Sequence, residues 1–268
     1  MTTLQAAVLG VVQGLTEFLP VSSSAHLVLI PHFLDWAEPS VAFDVLLHLA
    51  TTVALILYFW KDIISILKAW VASLVKGGTL GNSESRLAWL IIVGTIPAAV
   101  AGLFFKDFFE ELFSSPLKVS SLLVVTGILL WGSEKFSKQE KDLRELNLLD
   151  SVIVGFGQAL AIAPGISRSG ATIVSGRMRG FSREATARYS FLLAIPITVA
   201  AGVAKVPQLA VRSGDWASLV IGFLASAIFG YLAIKYLLAY LRKGKLYVFA
   251  YYCWIVGLAS VGWILLGR

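Results

Sequence analysis

Apolar residues in this chain come in long blocks, not in the weak alternation that marks a membrane barrel. Six blocks of Leu, Ile, Val, Ala and Phe lie at roughly 41–60, 87–105, 118–133, 186–205, 217–238 and 246–267, each bounded by charge or by Gly, Pro and Ser. A helix needs about 20 apolar residues to cross the hydrocarbon core, so each block predicts a transmembrane helix. Two further stretches, 4–34 and 151–176, are interrupted. The first breaks at Leu19-Pro20 and runs on through Val21-Ser22-Ser23-Ser24; the second breaks at Pro164-Gly165 and runs on through Ile166-Ser167-Arg168-Ser169-Gly170. Proline removes a helix donor and clashes with the preceding turn. Each stretch therefore predicts two half-helices joined by a polar bend. Irregular backbone at membrane depth persists only where it lines a protein cavity, which makes both bends candidate sites.

The two bends resemble each other. Gly10-Val-Val-Gln13-Gly-Leu15 lies 145 positions before Gly155-Phe-Gly-Gln158-Ala-Leu160, and a proline and a serine-rich bend follow each: Pro20 to Ser23, and Pro164 to Ser167. Three blocks follow each broken stretch, so one integral membrane domain reads as two repeats, about 1–134 and 150–268, joined by a charged linker at 135–149. Three spans plus a re-entrant hairpin make an odd number of crossings, so the second repeat is inverted relative to the first. The predicted fold class is an all-α polytopic membrane protein with six transmembrane helices plus two re-entrant broken-helix hairpins arranged as two inverted repeats. Such repeats place sites near the bilayer midplane.

Composition and charge agree with a membrane chain. Of 268 residues 57% are hydrophobic and 14% charged, with mean hydropathy +0.81, where soluble domains carry about 25% charged residues. A disordered tail, a collagen and almost any soluble enzyme are excluded. The formal charge of +6 raises nucleic acid, but sixteen Lys and Arg fall in 61–86, 134–150, 177–188 and 235–245, against Lys106, Lys118, Lys205, Arg212 and Arg268 on the other face. That asymmetry is a positive-inside signal; no nucleic acid is expected. It puts the termini and the first hairpin outward and lets the second hairpin enter from the cytoplasm. The Arg cluster at 177–188 reads as part of the same signal. The lone Cys253 excludes a disulfide framework, and no Lys or Arg precedes Lys61, so the start lacks a signal peptide's basic region. Trp36, Trp60, Trp216 and Tyr247 near span ends fit interfacial anchoring.

Arg168 is the one cation that sorts to neither face. Gln13 and Glu17 share a helical face leading into the first bend, followed by Ser22, Ser23, Ser24 and, one turn on, His26. Serines before a helix cap its free N–H groups, and the same N-terminus attracts anions. The second bend offers Ser167, Arg168 and Ser169, with Thr172 in the first turn of its half-helix. Converging tips would join two helix N-termini, a guanidinium and several hydroxyls into a phosphate or diphosphate pocket. Glu17 would activate a nucleophile or hold a metal; Ser23 or His26 would attack or move protons. Blander readings stand beside these. The serines are helix caps, His26 is a packed histidine, and Glu17 with Arg168 is a salt bridge locking the hairpins. Asp44 and His48, one turn apart, support the site or lock a hairpin.

Gln13-Gly-Leu-Thr-Glu17-Phe-Leu-Pro-Val-Ser-Ser23-Ser-Ala-His26 and Pro164-Gly-Ile-Ser167-Arg168-Ser-Gly-Ala-Thr172 resemble the two signature segments of the bacterial undecaprenyl-diphosphatase family, also called bacitracin-resistance proteins. The likeness runs over the whole chain and includes Ser190-Phe-Leu-Leu-Ala-Ile-Pro196. It implies a multi-pass phosphatase of the bacterial inner membrane that hydrolyses undecaprenyl diphosphate to recycle the lipid carrier for peptidoglycan. The charge asymmetry, with the first hairpin outward, faces its site to the periplasmic side. The family's acidic motif falls on Gln13 and Glu17, its serine on Ser23, its histidine on His26 and its phosphate-binding pair on Ser167 and Arg168. A divalent cation, Mg²⁺ or Ca²⁺, is implied, with Glu17 and Gln13 as its ligands, although Gln13 leaves one carboxylate where a pair is usual. Partners implied are the polyprenyl diphosphate, membrane lipids and a second copy in a homodimer. The Lys-x6-Arg-Pro, Pro-Ser-Gly-His and Ser-Arg-x5-His motifs of other membrane phosphatases are absent. The competing class is a polyprenyl-phosphate transporter built on the same repeats.

Overall fold

A computed structural model describes residues 1–75, 82–137, 140–205 and 216–267. Of the cations counted for orientation, Lys76, Lys138, Arg212 and Arg268 lie outside the described residues. The described chain is helical, and its only β pairing is an isolated bridge between Lys141 and Phe181.

Six helices are long and apolar enough to span a bilayer: α3 (Val41–Val75), α4 (Ser83–Phe104), α6 (Pro116–Phe136), α9 (Arg183–Lys205), α10 (Trp216–Leu241) and α11 (Tyr247–Leu265). The chain is a multi-pass, all-α membrane protein. Both broken stretches are helical pairs: α1 (Thr3–Phe18) with α2 (Ser23–Phe33), and α7 (Leu148–Leu160) with α8 (Arg168–Met178). At ~1.5 Å per residue, the eleven residues of α2 and of α8 cover about half of a hydrocarbon core ~30 Å thick. Neither half-helix can cross it.

Two elements differ from the block pattern. Helix α3 runs fifteen residues past the expected end at 60; Lys61, Asp62 and Lys68 lie on the extension, beyond the apolar window. A short helix, α5 (Lys106–Phe113), precedes α6; eight residues are too few for a span-length window to register. Proline is also no uniform breaker, since Pro31, Pro97 and Pro196 sit inside α2, α4 and α9. Neighbouring helices in a membrane protein re-satisfy the groups that such a proline frees.

Packing follows a paired scheme. Helix α1 lies chiefly on α10, and α7 on α4. A Cβ at Gly10 would lie 2.5 Å from Gly222 O, and one at Gly155 would lie 2.5 Å from Gly94 O. Helices α6 and α11 pack on each other reciprocally: Gly127 abuts Trp254 and Ala250, while Gly257 abuts Val124 and Ser120, three and seven positions earlier in both directions. Small residues at these crossings let backbones approach closely, which is how membrane helices gain packing energy without a hydrophobic drive between them. The core between the hairpins and the long helices contains Phe18, Phe59, Leu123, Leu130, Ile173 and Phe191.

Where it is described, the charged stretch is docked through Ser137 and Lys141 and is not a free tether there. Lys141 N donates to Gly180 O at 2.9 Å, Ser182 N to Lys141 O at 3.0 Å, and Ser137 Oγ to Arg177 O at 2.6 Å. The 177–188 arginines therefore do more than mark a membrane face. Arg177 is 1% exposed and donates to Phe181 O and Ser137 O. Arg179 pairs with Asp150 at 2.6 Å, Arg188 with Asp62 at 3.0 Å, and Arg183 with Glu134.

Candidate active site

The two bends meet. Glu17, in the last turn of α1, is buried, and both of its oxygens are engaged. Oε1 accepts from Arg168 Nη2 of the other hairpin at 2.8 Å. Oε2 accepts from Ser23 Oγ at 2.5 Å and from Gln13 Nε2 at 3.1 Å. His48 Nε2 on α3 stands 3.8 Å from the same oxygen, its Nδ1 donating to Asp44 O at 2.8 Å. Breaking a buried charge pair by removing one partner costs about 3–5 kcal/mol, so the Glu17–Arg168 pair holds the tips together whatever its chemistry. The salt-bridge reading of these residues and the site reading thus share one geometry. What favours a site is the remainder: Arg168 Nη1 and Gln13 Oε1 are buried with no hydrogen-bond partner among the described residues.

Each serine has a place. Ser22 caps α2 through Oγ, which accepts from Ala25 N at 3.4 Å, and lies 3.1 Å from Ser24 Oγ. Ser24 Oγ accepts from Gly165 N at 3.4 Å, a direct link between bends. Ser167 caps α8, its Oγ accepting from Gly170 N at 3.1 Å and lying 3.1 Å from Ser169 Oγ. Ser169 Oγ donates to Leu19 O at 3.1 Å, a second link. Thr172 is bonded within its own hairpin and to α9: its Oγ1 donates to Arg168 O at 2.7 Å and lies 2.6 Å from Ser190 Oγ. The caps set the register between hairpins. Ser22 corresponds to Ser167, so Ser23 corresponds to Arg168, whereas aligning Pro20 with Pro164 equates Ser23 with Ser167.

His26 does not face Ser23. Its Nδ1 lies 2.8 Å from Ser22 O and its Nε2 2.7 Å from Tyr252 Oη on α11. Tyr252 is absent from the sequence-derived set, as is Thr126. Thr126 Oγ1 donates to Gly165 O at 2.9 Å and accepts from Ser167 N at 3.2 Å, bracing the second bend from α6. For Thr126 the sequence shows only a hydroxyl inside an apolar span, and for Tyr252 only a tyrosine five positions into α11; neither points to its partner.

A divalent cation finds only part of its shell here. No group of three or more His, Cys, Asp or Glu side chains gathers among the described residues. Glu17 is a single carboxylate already paired with Arg168, and Gln13 Oε1 is the one orphaned oxygen beside it. Mg²⁺ and Ca²⁺ require about six or more oxygen ligands, so most of the shell would come from substrate phosphates and water.

Comparison with known proteins matches the sequence that carries these residues to a family. The family model described as Bacitracin resistance protein BacA matches residues 6–259. An undecaprenyl-diphosphatase of Halothermothrix orenii is 46% identical over 266 residues, 97% of this chain and 98% of the relative. One from Moorella thermoacetica is 44% identical over 252 residues, 94% of each, and one from Methanosphaera stadtmanae is 43% identical over 267 residues, 96% of each. With the match running through both bends and nearly every helix, this chain belongs to the BacA family of bacitracin resistance proteins.

Proposed function

We propose that the protein is a membrane phosphatase that hydrolyses undecaprenyl diphosphate to undecaprenyl phosphate and inorganic phosphate, recycling the lipid carrier for cell-wall synthesis and so conferring bacitracin resistance. The family membership and the names of the relatives support the activity. The observation that carries the assignment to this site is a hydroxyl, a carboxylate and a guanidinium in sequence: Ser23 Oγ, 2.5 Å from Glu17 Oε2, with Arg168 on the carboxylate's other oxygen and Nη1 to spare.

In the reaction we propose, Ser23 Oγ attacks the terminal phosphorus as its proton passes to Glu17. The bond from that phosphorus to the bridging oxygen breaks, and undecaprenyl phosphate leaves. Glu17 gives that proton up to the departing phosphate or to solvent. Water then attacks the phosphoserine, its proton passing to Glu17, which returns a proton to Ser23 Oγ as the P–Oγ bond breaks, releasing phosphate and restoring the serine hydroxyl. Arg168 and the N-termini of α2 and α8 stabilise the charge that develops on the transferring group. Gln13 and Glu17 are the residues that would hold a divalent cation, Mg²⁺ or Ca²⁺. Such an ion supplies charge neutralisation to the diphosphate.

The placement that goes with this function is the bacterial inner membrane with the site opening outward, supported by the lysine and arginine asymmetry. We also read the chain as two inverted repeats, supported by the 145-residue offset of the glutamines and by the reciprocal α6–α11 contact.

The test is phosphate release from undecaprenyl diphosphate by the purified protein in detergent micelles, abolished by EDTA. Ser23→Ala should leave less than about 5% of turnover, as loss of a nucleophile does. Retention above that level makes water, not Ser23, the attacking group. A pure transporter would release no phosphate at all.

A further inference from the structure

Ser22 is one of two non-glycine residues with positive φ among those described, at φ 67° and ψ 93°. Such a backbone costs ~1–3 kcal/mol and persists only where surroundings hold it. Ser22 Oγ caps α2 through Ala25 N, and the Ser22 carbonyl accepts from His26 N at 3.4 Å and, more closely, lies 2.8 Å from His26 Nδ1. A carbonyl only accepts, so Nδ1 carries the proton, and in the neutral ring Nε2 keeps its lone pair. That lone pair meets the Tyr252 hydroxyl at 2.7 Å, with the two rings nearly parallel at 14°. The next residue, Cys253, donates its Sγ to Pro20 O at 3.7 Å. Two consecutive residues of α11 thus grip the first bend on either side of Ser22.

We propose that Tyr252 is a positioning residue for the hydrolysis, through a clamp in which its hydroxyl donates to His26 Nε2 and His26 Nδ1 donates to Ser22 O. The clamp holds the peptide before Ser23 in its strained form, so that Ser23 Oγ meets Glu17. It rests on the reading of Ser23 as nucleophile and deepens it. His26 is then a mechanical part of the bend and takes no proton from Ser23; the carboxylate of Glu17 does.

Asparagine and alanine separate the two roles of His26. An asparagine amide nitrogen sits close to where Nδ1 was, so His26→Asn keeps the donor to Ser22 O but has no basic nitrogen. His26→Ala loses both. Under the clamp His26→Asn, which keeps the donor to Ser22 O but loses the Tyr252 contact, retains about a tenth to a fifth of wild-type kcat, while His26→Ala falls by roughly 100-fold. Tyr252→Phe lowers kcat about fivefold at unchanged KM, since it acts on the geometry of attack and not on substrate binding. Equal inactivity of His26→Asn and His26→Ala, in proteins that melt like wild type, would overturn the clamp and make the ring a base. If His26→Ala does not fold, His26→Gln, whose amide reaches toward Tyr252 instead, replaces it as the inactive partner. A second readout needs no turnover. The ¹⁵N spectrum of histidine-labelled protein should place His26 in the Nδ1-protonated tautomer, with the Nε2 resonance shifting in Tyr252→Phe; an Nε2-protonated ring sinks the idea. Activity in Ser23→Ala would instead count against the nucleophile and leave the tautomer result standing.

Discussion

The two hairpins share a plan and divide the chemistry. Each is a half-helix, a proline bend and an eleven-residue helix opened by a capping serine. Counted from the caps, Ser23 stands opposite Arg168 and His26 opposite Ala171, and on the 145-residue offset Glu17 stands opposite Ile162. One bend carries the acid and the hydroxyl bonded to it; the other carries the cation, with its serines spent on the cap and on Leu19 O. They also turn differently. The second makes its left-handed step on Gly165, at φ 99°, whereas the first makes it on Ser22, the residue before the proposed nucleophile. Glycine takes such a conformation at no steric cost, so the second bend is a relaxed support. The first is a strained one, and the strain lies beside the reacting group.

That contrast can be broken in order of expected effect. Removing the cation is the largest step: Arg168→Ala should lower kcat/KM by about 10³-fold, the scale of losing a charged transition-state contact, in protein that still purifies as a monodisperse species. An active Arg168→Ala enzyme would refute the pocket. Next, Gly165→Ala forces a side chain onto a left-handed residue and drives its Cβ into Val119 O. Thermal unfolding in detergent should show a loss of about 2 kcal/mol or more, and a neutral substitution would mean that the second bend is not fixed by that turn. The smallest effect tests the strained side. Ser22→Gly should leave stability unchanged or slightly raised, because glycine caps nearly as well and accepts positive φ, while kcat falls by roughly threefold as Ser23 loosens. An unchanged kcat would mean that strain at Ser22 has no catalytic value.

What was legible in the chain is what one residue can announce by itself. Apolar block length picked out the six spans, and Pro20 and Pro164 with their serines marked the bends. Charge inside the membrane singled out Glu17 and Arg168, because an unpaired ion there is costly wherever its partner lies. Residues that matter through a distant partner left no such mark. Tyr252 meets His26 across 226 positions and Thr126 braces Gly165 across 39, so neither role follows from local spacing. Pro97 and Pro196 show the opposite failure: the same residue that breaks α1 from α2 is absorbed inside α4 and α9, where packing decides. His26 was visible, but the direction of its two nitrogens was not, and that direction decides its role.

The arginines at the foot of the second hairpin have a mechanical meaning. Arg179 on Asp150 ties the end of α8 to the start of α7, Arg177 is sewn to two backbone carbonyls, and Arg183 joins α9 to α6 through Glu134, which also accepts from Leu246 N. A hairpin riveted in this way at its base has no free hinge there, so swinging it as a rigid arm would require several ion pairs to part together. Its tip is better described as an anvil, a fixed surface against which the first hairpin and the lipid's phosphates are brought.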